Sequence, residues 1–326
     1  MRLLVTGGCG FVGRNFIRYV LDHYQPEMIT NVDALVRPDS QEASAAFASR
    51  YGDRYESFKC DIVDVARMNR ILSNHSYFAV VNFAEENRGD FASAPAEKLI
   101  HTNILGASNL LSAAREHGVK RFVQISTAEV YGPAAEPLRS SEHSILNPVS
   151  TYAVSKAAAD LLVRSAYQTY GQDVVVTRCS KNYGRHQQPE ALIPSAVINA
   201  MSSRSLVFRC EGLDVNDWIH VEDHCAAVFD ILMQGRAGEI YNVGADLERK
   251  TVEVIRSILF QLGKGDEQIQ SVPDRGAGPS RYVVDSNKLR REIGWKPLYA
   301  FETRLAQTIE WYRGNRRAAE RGTRKT

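Results

Sequence analysis

This chain of 326 residues has few of the features that mark disulfide-rich, zinc-binding, membrane or nucleic-acid-binding proteins. Its five cysteines are an odd number and none is spaced Cys-x-x-Cys, so the sequence predicts neither a disulfide framework nor a zinc site. Apolar runs stay shorter than the ~18 residues of a membrane span, and no leader pattern precedes the first apolar strand, so we expect a cytosolic protein without membrane attachment. The 40 basic and 38 acidic residues nearly balance, which gives no electrostatic reason to expect a nucleic-acid partner.

The sequence does contain a regular alternation of strand-length apolar runs with longer helical patterns. Strands are predicted at 2–6, 28–33, 57–61, 79–84, 121–126 and 173–179, and helices at 11–23, 64–73, 97–117 and 151–170. Continuously apolar strands that alternate with helices indicate an α/β fold with a parallel, doubly wound sheet. Polar loops, glycine and proline become frequent after about residue 178. We therefore predict a Rossmann-type domain over residues 1–177, with returns near 215–244, and a smaller, mainly substrate-binding domain over 178–326.

A glycine-rich turn, spaced G-x-x-G-x-x-G, follows the first predicted strand at its junction with a helix. Its members are Gly7, Gly10 and Gly13, and the helix opens with Phe11 and Val12. Such glycines let backbone N–H groups approach a pyrophosphate, and the helix N-terminus adds partial positive charge. Asp33 ends the second predicted strand, where a carboxylate bonds a ribose 2′-hydroxyl and repels a 2′-phosphate. The pattern therefore predicts NAD rather than NADP.

Further cofactor contacts are expected at the ends of the next predicted strands. Asp61 and Ile62 follow the third strand, where they either reach the adenine or cap the helix that begins near Val63. We also predict cofactor contacts at Ala84, Asn103 and Ser126. The histidines do not share ligand spacing with carboxylates, so we predict no metal.

Tyr152 and Lys156 lie one helical turn apart, in a Y-x-x-x-K pattern that puts both side chains on one helix face. A tyrosine hydroxyl ordinarily titrates near ~10, and a neighbouring ammonium favours its phenolate, so Tyr152 can act as a base. The pair follows Ser126 and Thr127 at a predicted strand end, where ligands sit in doubly wound sheets.

With these motifs the sequence resembles the extended short-chain dehydrogenases/reductases, and within them most closely the dTDP-glucose 4,6-dehydratases. The resembling segments read STAEVYG at 126–132, YAVSK at 152–156, RCSKNYG at 178–184, PEALIP at 189–194, DWIHVEDH at 217–224 and GWKP at 294–297. The resemblance implies a tightly held NAD and a nucleotide-sugar or related activated-sugar substrate. It also implies a homodimer through helices 97–117 and 151–170, although their apolar faces fit plain burial as well.

The resemblance also implies a role for each matching residue. Thr127 would bond the sugar, and Tyr152 would take the proton of the C4 hydroxyl as hydride leaves for NAD. Lys156 would hold the nicotinamide ribose and bias Tyr152. Glu129 would remove the C5 proton, and Asn182 would contact the substrate.

The sequence departs from this family at several positions that carry charge. The aspartate of the family's T-D-E run, the acid proposed to expel the C6 hydroxyl, is Ala128 here. The arginine of N-V-R-D-W, which clamps the diphosphate, is Asn216, and the lysine of P-E-K-L-I-P is Ala191. The family's A-A-E-S-H-V-D-R reads AEENRGDF over 84–91, and R-P-G-H-D reads RGAGP over 275–279. Substitute substrate contacts are therefore predicted at Arg88, Arg275 and Arg281.

These observations predict an NAD-dependent sugar-nucleotide dehydratase that works by transient C4 oxidation and C5 proton abstraction. The alternative is a nucleotide-sugar epimerase, acting at C4 or C5, that uses the same transient oxidation. A binding module without turnover and a dehydrogenase that consumes free NAD are further hypotheses. Glu129 favours dehydration because plain C4 epimerisation needs no such carboxylate, whereas Ala128 counts against it.

Overall fold

Seven parallel strands form the central sheet of the computed structural model, which describes residues 1–87, 95–209, 212–272 and 279–315. They are β1 (Arg2–Thr6), β2 (Met28–Asp33), β3 (Tyr55–Lys59), β4 (Ala79–Asn82), β5 (Arg121–Thr127), β6 (Val174–Cys179) and, from later in the chain, β10 (Ile240–Val243). Their order across the sheet is β10-β6-β5-β4-β1-β2-β3. The direction of winding reverses between β1 and β4, which opens a crevice at the carboxyl ends of these strands.

The α-helices of the described residues are α1 (Phe11–His23), α2 (Pro38–Tyr51), α3 (Val65–Ser73), α4 (Ala96–Leu99), α5 (Ala107–Glu116), α6 (Thr151–Tyr170), α7 (Leu192–Met201), α8 (Val221–Gln234), α9 (Thr251–Gln261), α10 (Asn287–Ile293) and α11 (Phe301–Gly314). Helices cover both faces of the central sheet, whereas α7, α9 and α11 pack away from it with the strands that follow β6. Apolar side chains of α1, α2 and α8 pack on one face, and those of α3, α5 and α6 pack on the other. The predicted Rossmann-type, doubly wound sheet is therefore confirmed.

A second group of elements begins after β6. Strands β7 (Lys181–Tyr183), β9 (Val215–His220), β11 (Glu248–Lys250) and β13 (Arg281–Tyr282) form a small sheet, and β8 (Leu206–Arg209) pairs with β12 (Ile269–Val272). Trp218 of β9 packs here with side chains of α7, α9 and α11. Between residues 215 and 244, β9 belongs to this group, whereas α8 and β10 return to the central sheet. The exact domain boundaries stay a prediction.

The elements agree with the sequence pattern where that pattern is strong. The predicted bounds of β1, β2, α1 and α6 match the structure residue for residue. The predicted helix 97–117 is interrupted, because residues Ile100–Gly106 form a π-helix between α4 and α5. The sequence pattern does not predict helix α2, because its residues are rich in alanine and serine and form only a weak apolar stripe. In the described part of the chain, every helix is too short or too polar to cross a membrane.

Candidate active site

The predicted site residues converge where the carboxyl ends of β1, β4, β5 and β6 meet. The glycine turn follows β1, Ala84 and Glu85 follow β4, and Thr127 ends β5. The Tyr–Lys helix α6 packs against β5 and β6. Because the strands are parallel, segments far apart in the chain reach one edge of the sheet.

The glycine turn is shaped by contacts that leave no room for side chains. Gly7 has a φ of +66°, and a Cβ on it would lie 2.7 Å from the backbone of Ala84. A Cβ on Gly13 would lie 2.4 Å from the carbonyl oxygen of Gly7. Gly10 is the N-cap of α1 and has no side chain to bond the first-turn amides. These amides therefore face the crevice as donors suited to an anionic group.

Asp33 is tied to the glycine turn at the end of β2. Its Oδ2 accepts from the backbone N–H of Cys9 at 2.9 Å, and its Oδ1 accepts from that of Leu35 at 2.8 Å. Burial raises the pKa of Asp33, and these two backbone donors oppose that effect. Each carboxylate oxygen can accept a second hydrogen bond, so the position suits a ribose hydroxyl.

The helix after β3 is not capped by Asp61 and Ile62, which was one of the two predicted alternatives for this segment. Asp64 caps α3, because its side chain accepts from the backbone N–H of Arg67 at 3.0 Å. Asp61 is exposed, and its Oδ1 accepts from the N–H of Val63 at 3.2 Å in the turn before the helix. Ile62 is buried. A contact of Asp61 and Ile62 with adenine stays a prediction.

Helix α6 carries Tyr152 and Lys156 into the crevice from a firmly held base. Ser150 caps the helix by accepting from the N–H of Ala153 at 3.1 Å. Farther along, Asp160 accepts from Arg178 of β6 at 2.8 Å, and both side chains are buried. This buried ion pair anchors α6 to the sheet. Tyr152 and Lys156 are thus placed by a helix that is capped at its start and ion-paired to the sheet.

The Tyr–Lys pair converges on a single carboxylate oxygen. The Nζ of Lys156 donates to Oε2 of Glu85 and to the carbonyl oxygen of Ile125, each at 2.8 Å. The hydroxyl of Tyr152 donates to the same Oε2 at 3.0 Å. The Lys156 side chain is only 3% exposed, whereas that of Glu85 is 31% exposed. The carboxylate therefore bridges the two residues at the mouth of the crevice.

Burial and two carboxylates set the proton affinity of Tyr152. Burial, followed by the charges of Glu85 and Glu129, raises the pKa of Tyr152 well above its usual value. Thr127 accepts from the N–H of Glu129 at 3.3 Å and so starts the short 3₁₀ turn that presents this glutamate. Ala128 points away from solvent into an apolar cluster that includes Val130. The site thus contains a phenol, an ammonium and two carboxylates.

Three predicted cofactor contacts lie around this centre. Ala84 backs onto Gly7, and the carbonyl of Ser126 accepts from the thiol of Cys179 at 3.3 Å. Asn103, in the π-helix, is buried and makes three hydrogen bonds: its side chain bonds the backbone N–H and carbonyl of Glu86 at 2.7 and 3.1 Å, and donates to Ser155 at 2.9 Å. Asn103 therefore ties the loop after β4 to helix α6.

The predicted substrate contacts are only partly brought together. Asn182 of β7 is half-buried beside Cys179, and its Nδ2 donates to the thiol at 3.3 Å. Arg281 donates to Glu248 at 2.8 and 3.1 Å, so its charge is already balanced within the protein. Arg88 and Arg275 lie outside the described residues. A diphosphate contact by any of these arginines stays a prediction.

Burial shifts the pKa values of the cysteines and histidines that the sequence drew attention to. Burial raises the pKa values of Cys9 and Cys179 to about 12, which keeps both as thiols. Burial likewise lowers the pKa of His220 to about 3 and that of His224 to about 4, so both imidazoles are neutral. Within the described ranges, no cluster of three or more His, Cys, Asp or Glu is arranged to hold a metal ion.

Comparison with known proteins places this geometry in a family. The sequence profile of the family described as GDP-mannose 4,6 dehydratase matches residues 4–308. The dTDP-glucose 4,6-dehydratase of Mycolicibacterium smegmatis is 40% identical over 318 residues, which cover 97% of this chain and 94% of that protein. The chain belongs to the sugar-nucleotide 4,6-dehydratases of the extended short-chain dehydrogenase/reductase family.

Solved dehydratases share the whole architecture. The dTDP-glucose 4,6-dehydratase of Bacillus anthracis, in complex with NAD, is 36% identical, with a TM-score of 0.91 and 99% of each chain covered. DesIV, the dTDP-glucose 4,6-dehydratase of Streptomyces venezuelae crystallised with NAD, is 37% identical, with a TM-score of 0.92 over 99% of this chain and all of that one. Both similarities extend through the second group of elements as well as the central sheet.

Glu85 lies at the centre of the site, yet none of the sequence motifs predicts a role for it. The signal was present, because Glu85 replaces the second alanine of the dehydratase run A-A-E-S-H-V-D-R. Nothing local to that loop shows that its side chain meets Tyr152 and Lys156. That meeting depends on β4 and β5 being neighbours in the sheet.

Proposed function

We propose that this dehydratase family member is an NAD-dependent sugar-nucleotide 4,6-dehydratase. The observation that carries the proposal is the grouping of Thr127, Glu129, Tyr152 and Lys156 beside the glycine turn. A proton acceptor for an alcohol and a carboxylate for a neighbouring C–H bond are the two groups that transient oxidation followed by elimination requires. The NAD-bound relatives, similar along the whole chain, support the same cofactor here.

The residues around the crevice fit a dinucleotide. The space that a Cβ would fill at Gly7 and Gly13 lets a pyrophosphate approach the backbone, and the α1 amides supply donors. Asp33 would accept from the adenosine ribose, and Lys156 would donate to the nicotinamide ribose. When bound, NAD would accept the C4 hydride of the sugar and later return it to C6.

The protein's own groups would move the protons. Thr127 would donate to the sugar and hold its C4 hydroxyl toward Tyr152, which would take the hydroxyl proton. The resulting ketone acidifies the C5 hydrogen, and Glu129 would remove it. The C6–O bond would then break as its oxygen gains a proton, which completes the elimination of water.

One observation keeps an epimerase as the second candidate. Ala128 has no proton to give to a leaving hydroxyl, and it is packed against apolar neighbours. An enzyme that oxidises C4 and reprotonates C5 without elimination needs no acid at this position. The product would then be a C5 epimer of unchanged composition.

Mass spectrometry of reaction products separates these functions. The purified protein, with NAD, would be incubated with dTDP-, GDP-, UDP- and CDP-hexoses in turn. We expect one of them to yield a product lighter by one water. A substrate that is isomerised at constant mass would support the epimerase, and a stoichiometric rise in free NADH would indicate a net dehydrogenase.

Cofactor choice is expected to depend on Asp33. NAD should bind at least tenfold more tightly than NADP, about 1.4 kcal/mol or more, because a 2′-phosphate would meet this carboxylate. Asp33→Ala should narrow that gap, because it removes the charge that a 2′-phosphate would meet. Calorimetric titration measures both cofactors, and equal affinities for the wild-type protein would contradict the assignment.

The proposal extends to a homodimer that buries one face of α6 and of the helices before it. Large apolar side chains remain exposed there, and they are Ile100, Leu105, Val154, Leu161 and Tyr170. Pairing this face with the same face of a second copy would form the four-helix contact implied by the family resemblance. A cytosolic location also remains a prediction.

A further inference from the structure

A carboxylate without a role in the motifs lies between the two groups that handle the substrate's proton. Glu85 accepts from the hydroxyl of Tyr152 at 3.0 Å and from the ammonium of Lys156 at 2.8 Å, through one oxygen. Its loop is held by Asn103, which bonds both backbone groups of Glu86. Asn103 also donates to Ser155 of α6 at 2.9 Å, so the loop that carries Glu85 is tied to the helix that carries Tyr152 and Lys156.

Within the described residues, the position from which the resembling sequences are proposed to protonate the leaving hydroxyl carries no acid. Hydroxide is a poor leaving group, so the C6 oxygen must gain a proton as its bond to carbon breaks. Ala128 stands where the resembling sequences have aspartate, and it is packed among Val130, Tyr131 and Ala157. A replacement must therefore come from another group of the site that can carry a proton.

We propose that Tyr152 and Glu85 form a proton relay that stores the proton of the C4 hydroxyl and delivers it to the departing C6 hydroxyl. This inference rests on the proposed 4,6-dehydratase function. Glu85 acts through Tyr152 and is therefore a positioning and proton-storing residue. It takes the place of the acid missing at Ala128.

The steps of the relay balance. As the C4 O–H bond breaks, its proton passes to Tyr152 and the Tyr152 proton passes to Glu85, while the C4 hydride leaves for NAD. Glu129 then removes the C5 proton. The C6–O bond breaks as Tyr152 protonates the leaving oxygen and recovers its own proton from Glu85. Hydride returns to C6, and Glu129 reprotonates C5 after its carboxyl proton has exchanged with solvent. The released water contains the original C4 hydroxyl proton.

The charges around Tyr152 favour this path over a free phenolate. Glu85 and Glu129 face its hydroxyl as carboxylates, Cys179 lies on the β6 side, and Lys156 offers the one ammonium in contact with Glu85 among the described residues. Burial and the two carboxylates raise the pKa of Tyr152, so the phenol stays protonated at neutral pH. Passing its proton directly to Glu85 avoids forming an isolated phenolate. The hydroxyls on C4 and C6 of one hexose are close enough for a single phenol to serve both.

Glu85→Gln and Glu85→Ala test the relay. The substrate is the nucleotide sugar that the wild-type protein dehydrates, and mass spectrometry measures the rate at which it loses water. Glutamine keeps an acceptor for Tyr152 but cannot store a proton, so the dehydration rate should fall by about 10². The dehydration rate of Glu85→Gln should also rise with pH over a range in which the wild-type rate is constant. In this variant Tyr152 can take the substrate proton only after it has ionised. The double variant Glu85→Ala/Ala128→Asp, which has the family's residue at both positions, should recover at least tenfold over Glu85→Ala.

A binding-state measurement makes the test independent of turnover and of the folding of Ala128→Asp. In the NAD-bound protein carrying ¹³Cζ-tyrosine, the Tyr152 resonance is assigned with Tyr152→Phe and titrated by NMR. The titration midpoint should fall in Glu85→Gln. An unchanged midpoint, a wild-type pH profile in Glu85→Gln, or faster turnover in Glu85→Ala overturns the relay alone. A wild-type protein that removes water from none of the nucleotide sugars overturns the proposed function and the relay with it.

Discussion

Replacing Tyr152 by phenylalanine is expected to lower turnover by about 10² or more while leaving the fold and NAD binding intact. The substitution removes only the hydroxyl that donates to Glu85 at 3.0 Å, and that hydroxyl is the proposed acceptor of the substrate proton. The aromatic ring and the capped first turn of α6 remain. The rate of C4 oxidation, followed as reduced nicotinamide in a single turnover, measures the effect.

A second tyrosine of the same helix provides the control. Tyr167 is 42% exposed, and Tyr167→Phe also removes one hydroxyl from α6, so it should retain near wild-type turnover. Lys156→Ala should weaken NAD binding as well as turnover. It removes the ammonium that is proposed to donate to the nicotinamide ribose and that donates to Glu85 and to the carbonyl of Ile125. If Tyr152→Phe keeps most of the wild-type activity, Tyr152 has no part in the mechanism.

Replacing Glu129 by glutamine is expected to stop C5 chemistry while sparing C4 oxidation. Glu129 is presented by the turn that Thr127 starts, and its charge acts on Tyr152, which places it near the same end of the substrate. Without its carboxylate the ketone forms but C5 is not deprotonated. We therefore expect bound reduced nicotinamide to accumulate and water loss to fall by about 10² or more.

Turnover in deuterium oxide distinguishes dehydration from epimerisation by the mass of the product and the position of its deuterium. Dehydration by the wild-type protein should give a product lighter by one water that carries solvent deuterium at C5. C5 epimerisation would place deuterium at the same carbon without changing the composition. Glu116→Gln, at the exposed end of α5, is the matched control. Product free of deuterium, or full activity in Glu129→Gln, would remove Glu129 as the base and favour C4 epimerisation.

The two carboxylates are distinguished by the step that each variant blocks. Glu129→Gln should allow C4 oxidation and halt afterwards, so reduced nicotinamide accumulates. Glu85→Gln should slow C4 oxidation itself in a pH-dependent manner, because glutamine accepts the Tyr152 hydrogen bond but cannot take its proton. The two outcomes can be read from the same single-turnover traces, which separates the proposed base from the proposed relay.

The sequence by itself determined the parts of this protein that are encoded in continuous segments. The strand–turn–helix around Gly7, the carboxylate at the end of β2 and the Tyr–Lys spacing on α6 all depend on residues a few positions apart. Local periodicity and backbone freedom decide such features, so they could be predicted with correct bounds for β1, β2, α1 and α6. In the later segments, where local patterns are weaker, the expectations came from the family resemblance.

Only the tertiary structure decided which charges meet. Glu85 is 67 residues from Tyr152 and 71 from Lys156, and their contact exists because β4 and β5 are adjacent and α6 packs over their ends. Arg281, attractive in sequence as a diphosphate contact, is paired with Glu248 by the neighbouring strands β13, β9 and β11. Side-chain charges separated by tens of residues are placed by sheet order, and no local pattern in the chain encodes that order completely.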